Sequence, residues 1–116
     1  MLPRDLRLSR PDDYARVKRE GRNYTSRLFV LGIAPNTVGH NRYGFIASKR
    51  LGGAVERNRA RRVMRACVQA LHPTLRPGYD VTVICRQGIL SQSTLAMIPE
   101  LARLLRQAGL VEDASS

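Results

Sequence analysis

Residues 54–71 contain neither proline nor glycine, follow the pair Gly52-Gly53 and stop just before Pro73, and arginine occupies positions 57, 59, 61, 62 and 65 within them. The run is rich in the helix formers Ala, Arg, Leu and Met and predicts a helix of about five turns. Placed at about 100° per residue, Val55, Ala60, Val63, Met64, Ala66, Cys67, Ala70 and Leu71 fall on one broad arc. Arg57, Asn58, Arg61, Arg62, Arg65 and Gln69 occupy the opposite arc. Arginines three and four apart repel by roughly 0.2–0.5 kcal/mol per pair unless an anion lies between them. A solvated face would mix Glu with Lys and Arg, but Glu56, beside the helix start where it suits the dipole, is the sole acid. Planar guanidinium groups that grip two phosphate oxygens or stack on a base point to nucleic acid.

The remaining charge agrees. Twenty Lys and Arg against nine Asp and Glu give a net +11 in 116 residues, and sixteen of the bases but only five of the acids lie in residues 1–65. One side or end of a single domain therefore meets a polyanion, with strong salt dependence. A basic membrane-surface helix would set Trp, Phe or Leu opposite its charge; here Ala, Val, Met and Cys stand there. No apolar run reaches the roughly eighteen residues needed to span a bilayer, and the N-terminus lacks the apolar core of a signal peptide. These features predict a cytoplasmic protein without membrane association. Cys67 and Cys85 fall in apolar patterns with no histidine beside them and are expected to be free, buried thiols rather than zinc ligands.

Taken in order, residues 1–8 form a basic lead-in expected to be mobile, as is the tail 109–116. Ser9 is a candidate N-cap for a short helix ending near Glu20, with Pro11, Asp12 and Asp13 suited to its first turn and Gly21 to its end. Tyr14, Val17 and Lys18 share one face of it. Tyr14 reads either as an anchor on a sheet or as a ring for stacking on a base. Residues 24–34 read as one strand, residues 35–42 as a turn-rich connection, and residues 43–47 as a second strand paired antiparallel with the first. Ser48, Lys49 and Arg50 then lead through the glycine pair, whose backbone can approach a ligand closely, to the basic helix. A strand over residues 79–85, with Val81, Val83 and Cys85 on one face, makes a parallel crossover around that helix. A final helix over residues 91–108 buries Leu95, Ile98, Leu101, Ala102, Leu105 and Ala108, with Pro99 disturbing it.

Chemistry of its own is harder to find. His40 and His72 have no spacing that pairs them, Asp12 and Asp13 point in different directions on a helix, and there is no Walker lysine loop, nucleophile elbow or HExxH. The chain offers grip without a catalytic site.

Ser48-Lys49-Arg50, Gly53-Ala54-Val55 and Arg57-Asn58-Arg59 with Arg61, Arg62 and Arg65 closely resemble the protein subunit of bacterial ribonuclease P. The resemblance extends to the early Arg-Pro-Asp-Asp-Tyr segment with Val17 and Gly21, to residues 27–31, to Tyr43-Gly44-Phe45, and to Tyr79-Asp80-Val81 with Arg86. It implies an α/β, more strictly α+β, sandwich: a four-stranded mixed sheet between helices with the central basic helix in a left-handed βαβ crossover, a topology shared with a ribosomal protein domain. Sterics alone would favour the opposite hand.

It further implies a partner, a large catalytic RNA, and a joint reaction, endonucleolytic removal of the 5′ leader from precursor tRNA. The RNA would hold magnesium and perform the chemistry. Lys49, Arg50, Arg57, Asn58, Arg59, Arg61, Arg62 and Arg65 would contact the catalytic RNA. Tyr14, Val17, Lys18, Phe29, Phe45, Ser48 and Arg86 would line a cleft for the single-stranded leader. Lys18 stands where many members have a second aromatic and Gly32 replaces another cleft side chain, which predicts more phosphate contact and less stacking. A structural ribosomal-type RNA-binding protein is the alternative, and a duplex-DNA-binding protein a third reading; no DNA partner is expected.

Overall fold

The long helix forms as its composition requires, over Ala54–Leu71, and the rest of the chain builds a sheet beneath it. The structure is a computed structural model in which residues 2–86 and 92–111 are described. Helix α1 (Pro11–Glu20) is followed by strands β1 (Arg22–Thr25), β2 (Phe29–Pro35) and β3 (Arg42–Ile46), helix α2 (Ala54–Leu71), strand β4 (Tyr79–Cys85) and helix α3 (Thr94–Gln107). The sheet order is β1-β2-β4-β3, with β3 and β4 parallel and the other neighbours antiparallel. The mixed four-stranded sheet and the parallel crossover around the basic helix agree with expectation. No helix of the described residues is long and apolar enough to cross a membrane.

Strand pairing differs from the sequence reading. The second strand does not pair with the first, because β4 lies between them and pairs with both. Residues 24–34 are not one strand but part of a hairpin that turns at Ser26, whose Oγ accepts from the amides of Leu28 and Phe29 at 3.3 and 3.1 Å. A side-chain oxygen that satisfies local amides offers the backbone an alternative to continued extension.

Alternation along the strands gives the sheet two different faces. One carries Phe29, Leu31, Ile33, Val81, Val83, Cys85 and Tyr43, which with α2 and α3 form the core. The other is built in three rows across β2, β4 and β3: Ala34-Asp80-Arg42, Gly32-Thr82-Gly44 and Val30-Ile84-Ile46. Helix α1 lies on the first two. Its only buried residue is Val17, whose transfer from water contributes about 1.5–3 kcal/mol.

The helices bury somewhat different stripes from those predicted. In α2 the buried residues are Ala60, Met64, Cys67 and Val68, whereas Val55 is 77% exposed and Ala66 and Ala70 also face outward. The stripe is rotated towards Val68, with Arg57, Arg61 and Arg65 half-buried beside it. In α3 the buried residues are Met97, Leu101, Leu104 and Leu105, while Leu95 is 82% exposed. That helix starts after Ser93, whose Oγ accepts from the Ala96 amide, and contains Pro99 without ending there; Ser91 is outside the described residues.

Both ends of the described chain make contacts with the sheet and its connections. Ser9 does not cap α1; Arg10 stands at that position with no side-chain cap. Leu2 and Leu8 are buried, Arg7 bridges Tyr43, and the Leu8 amide donates to the Tyr43 carbonyl at 2.8 Å, so the lead-in covers the free edge of β3. Past α3, Leu110 is fully buried and accepts from the Arg76 amide, and Val111 bridges Leu75. Residues 112–116 lie outside the described residues.

Candidate nucleic-acid interface

The three rows explain why a cleft exists. The middle row has small residues at both ends, so α1 can approach until Val17 sits over Gly32 and the Tyr14 ring over Gly44. A Cβ on Gly32 would lie 3.2 Å from Val17 Cγ1 and 2.5 Å from Thr82 Oγ1. Gly32 is therefore a docking position for α1, and the neighbours a side chain there would meet, Val17, Asn23 and Thr82, all line the cleft. The third row is left uncovered, and a cleft of about 380 Å³ opens between it and the helix, lined by Tyr14, Ala15, Val17, Lys18, Asn23, Val30, Ile46, Thr82 and Ile84.

Of the residues expected there, Tyr14, Val17 and Lys18 line the cleft, and Lys18 is exposed at its rim. Phe29 does not: its side chain is fully buried on the core face, because its position alternates with Val30. Phe45 lies on that same face and lines a second recess at the β3 edge with Arg7, Leu8, Tyr14, Tyr43, Arg61 and Arg65. Ser48 is exposed after β3. Arg86 is exposed at the end of β4, where its guanidinium donates to the Ser26 carbonyl at 3.2 Å. Asn23, Val30, Ile46, Thr82 and Ile84 were missed; they are the alternate positions to the core residues once the sheet register is known.

The basic face of α2 is assembled as its spacing predicts. Asn58, Arg59 and Arg62 are exposed and Arg57, Arg61 and Arg65 half-buried along one flank, with Lys49 and Arg50 exposed on the turn before the helix. Arg61 donates to Asn58 Oδ1 at 3.1 Å and Arg65 Nε to the Arg61 carbonyl at 3.3 Å. No carboxylate of a described residue pairs with an arginine of α2: the ion pairs lie within α1, between α1 and the sheet, between β3 and β4, and within α3. The arginines of α2 are thus without a carboxylate partner among the described residues.

Tyr14 joins the two surfaces, since it lines both the cleft and the recess that Arg61 and Arg65 enclose. Its hydroxyl donates to the Leu8 carbonyl at 3.1 Å. Burial raises its pKa, against the charge of Arg61 and a hydrogen bond with the Phe45 backbone, so the phenol stays neutral.

On the other flank of α1 lies a buried carboxylate. Asp80 accepts from Arg42 Nε (2.9 Å) and Nη2 (2.8 Å), from Asn36 Nδ2 (2.9 Å), and from Arg16. Burial would raise its pKa, but the hydrogen bonds of Arg42 and Asn36 and the charges of Arg42 and Arg16 outweigh it and hold the carboxyl below its usual range. Among the described residues no group of three or more His, Cys, Asp or Glu gathers to hold a metal ion.

A small mixed sheet with a bare arginine face on its crossover helix and an adjoining apolar cleft defines a basic α+β RNA-binding protein. The Ribonuclease P family matches residues 2–109. The ribonuclease P protein component of Roseiflexus castenholzii is 42% identical, covering 99% of this chain and 95% of its own, and that of Chloroflexus aurantiacus is 41% identical, covering 95% and 82%. The solved Staphylococcus aureus RNase P protein superposes with a TM-score of 0.82 at 29% identity over 92% of this chain and 98% of its own. The Thermotoga maritima RNase P protein shares the fold at a TM-score of 0.80 and 22% identity, with 92% and 98% covered. The chain belongs to the ribonuclease P protein family, as the RNA-binding protein component of that tRNA-processing ribonucleoprotein.

Proposed function

We propose that the chain binds the catalytic RNA of ribonuclease P through the α2 face and the single-stranded 5′ leader of precursor tRNA through the cleft under α1. The observation that carries this reading is the continuity of the two surfaces at Tyr14, which lines both. Lys49, Arg50, Arg57, Asn58, Arg59, Arg61, Arg62 and Arg65 lie against RNA phosphates. Their charge lowers the repulsion between closely approached phosphates and with it the magnesium the complex needs. In the cleft, Tyr14 supplies a stacking surface, Val30, Ile46 and Ile84 an apolar wall, and Lys18 a phosphate contact. Mature tRNA lacks the leader and forgoes these contacts, so precursor is held in preference to product.

Hydrolysis itself is assigned to the RNA, which with its substrate holds the magnesium. The described residues do not fit that role: among them carboxylates do not cluster, and Asp80 is already enclosed by Arg42, Arg16 and Asn36. The cytoplasm is the compartment in which the complex acts.

The experiment is cleavage of precursor tRNA by the catalytic RNA at low magnesium, with this chain absent, present, or carrying Arg57→Ala and Arg61→Ala together. Restored 5′ processing by the wild type, lost in a folded double variant, supports the reading. No effect of the wild type with its cognate RNA overturns it.

A further inference from the structure

The two flanks of α1 do different things. Tyr14 and Lys18 face the cleft on one side of Val17; Asp13 and Arg16 face Asp80 and Arg42 on the other. Val17 is the only buried residue of the helix and the Tyr14 ring packs on Gly44, so apolar contact holds the cleft side of α1 and leaves the Asp80 side to polar ties.

We infer that Asp80 and Arg16 are positioning residues for the leader, holding α1 at the height and roll that set Tyr14 and Lys18 opposite the Val30-Ile84-Ile46 row. This rests on the reading of the cleft as the leader site. An ionised carboxylate has about four acceptor positions, and those of Asp80 are filled: Oδ1 by Asn36 and Arg42, Oδ2 by Arg42 and Arg16. Arg42 and Asp80 are register partners within the sheet, so their pair fixes nothing outside it. Arg16 alone brings helix α1 directly to the carboxylate. It divides its guanidinium between Asp80 and the Pro35 carbonyl, to which Nη1 donates at 2.7 Å. That fork constrains orientation as well as distance. Asp13 adds a longer tie to Arg42 at 3.6 Å. A buried ion pair often stabilises no more than apolar residues of the same volume would. What this one supplies is geometry, at the base of the helix that forms the cleft wall.

The test uses the full chain assembled with its catalytic RNA, comparing wild type, Arg16→Gln, Arg16→Lys and Asp13→Asn. Affinity is measured for precursor tRNA and mature tRNA, with KM and kcat for cleavage. Arg16→Gln is expected to weaken precursor binding and raise KM by about tenfold, less than the roughly 10²-fold that a 1 Å misplacement can cost. Mature tRNA affinity, assembly with the RNA and kcat stay as in wild type. Arg16→Lys, which keeps the charge but not the fork, recovers part of the loss, and Asp13→Asn gives a smaller loss of the same sign. If Arg16→Gln does not fold, the Asp13→Asn comparison decides alone. Wild-type precursor preference in the folded variants overturns the inference, as does an equal loss for precursor and mature tRNA. A wild type that itself holds both equally removes the leader reading and this inference with it.

Discussion

The ring of Tyr14 rests on the backbone of Gly44: a Cβ at that glycine would stand 2.5 Å from the ring's Cε1 and hydroxyl. The strand has no side chain there because the helix needs the space. Gly44→Ala should therefore lift the ring and cost about 1–3 kcal/mol of stability, the usual penalty for overfilling a packed site. Chemical denaturation checks the stability, and precursor tRNA binding should weaken with it. Tyr14→Phe, which loses the hydroxyl's bond to the Leu8 carbonyl and its hydrogen bond with the Phe45 backbone, should cost about 0.5–1.5 kcal/mol for each bond lost.

Asp80→Asn should destabilise the fold by about 2 kcal/mol, less than the ~3–5 kcal/mol of a fully buried pair because its arginine partners keep some contact with water. The same carboxyl gives a pH signature. Its folded pKa is lowered, so its stabilisation is present above the unfolded value of about 3.9 and is lost as pH falls through the folded value. Urea melts across acid pH should show a stability loss in wild type that is smaller in Asp80→Asn.

Arg62 projects outward from α2 with no carboxylate partner among the described residues. Arg62→Ala should leave the melting temperature unchanged, weaken binding to the catalytic RNA, and reduce the slope of log K against log salt by about one unit for one lost phosphate contact. A salt titration of both proteins separates this from loss of fold.

Lys18 offers charge at the cleft rim where an aromatic would offer a stacking plane. Lys18→Phe should make leader-dependent affinity less sensitive to salt and gain up to about 1–3 kcal/mol from stacking on a base. Precursor tRNA affinity at two salt concentrations distinguishes the terms.

Both cysteines are buried, and burial pushes the Cys67 thiol up to about 11 and raises that of Cys85 as well. A thiolate-selective reagent should leave native protein unmodified near neutral pH and label both sites once it is denatured.

The basic helix was legible because its signal is local: absence of breakers, strong propensity and a charge period. The face it buries was less so, since Val55 and Val68 are equally apolar and only the sheet decides which is covered; Val68 is buried and Val55 is not. Proximity in sequence predicts pairing of β2 with β3, but insertion of β4 is a long-range fact. The cleft shows the same division. Tyr14, Val17 and Lys18 follow from helical spacing, whereas Asn23, Thr82 and Ile84 become neighbours only through register, and that register puts Phe29 on the wrong face.

The insertion of β4 also orders events during synthesis. Strands β2 and β3 share no ladder and are joined only through β4, the last strand to be made. A nascent chain that has not yet emitted residues 79–85 can form the β1-β2 hairpin and the basic helix, but not a joined sheet. Asp80, Thr82 and Ile84, one from each row of the sheet face that carries α1, arrive together on that strand. A ribosome paused before them would thus present the polyanion-seeking arginines without the groove that selects among RNAs, and a chain truncated there should bind nucleic acid indiscriminately.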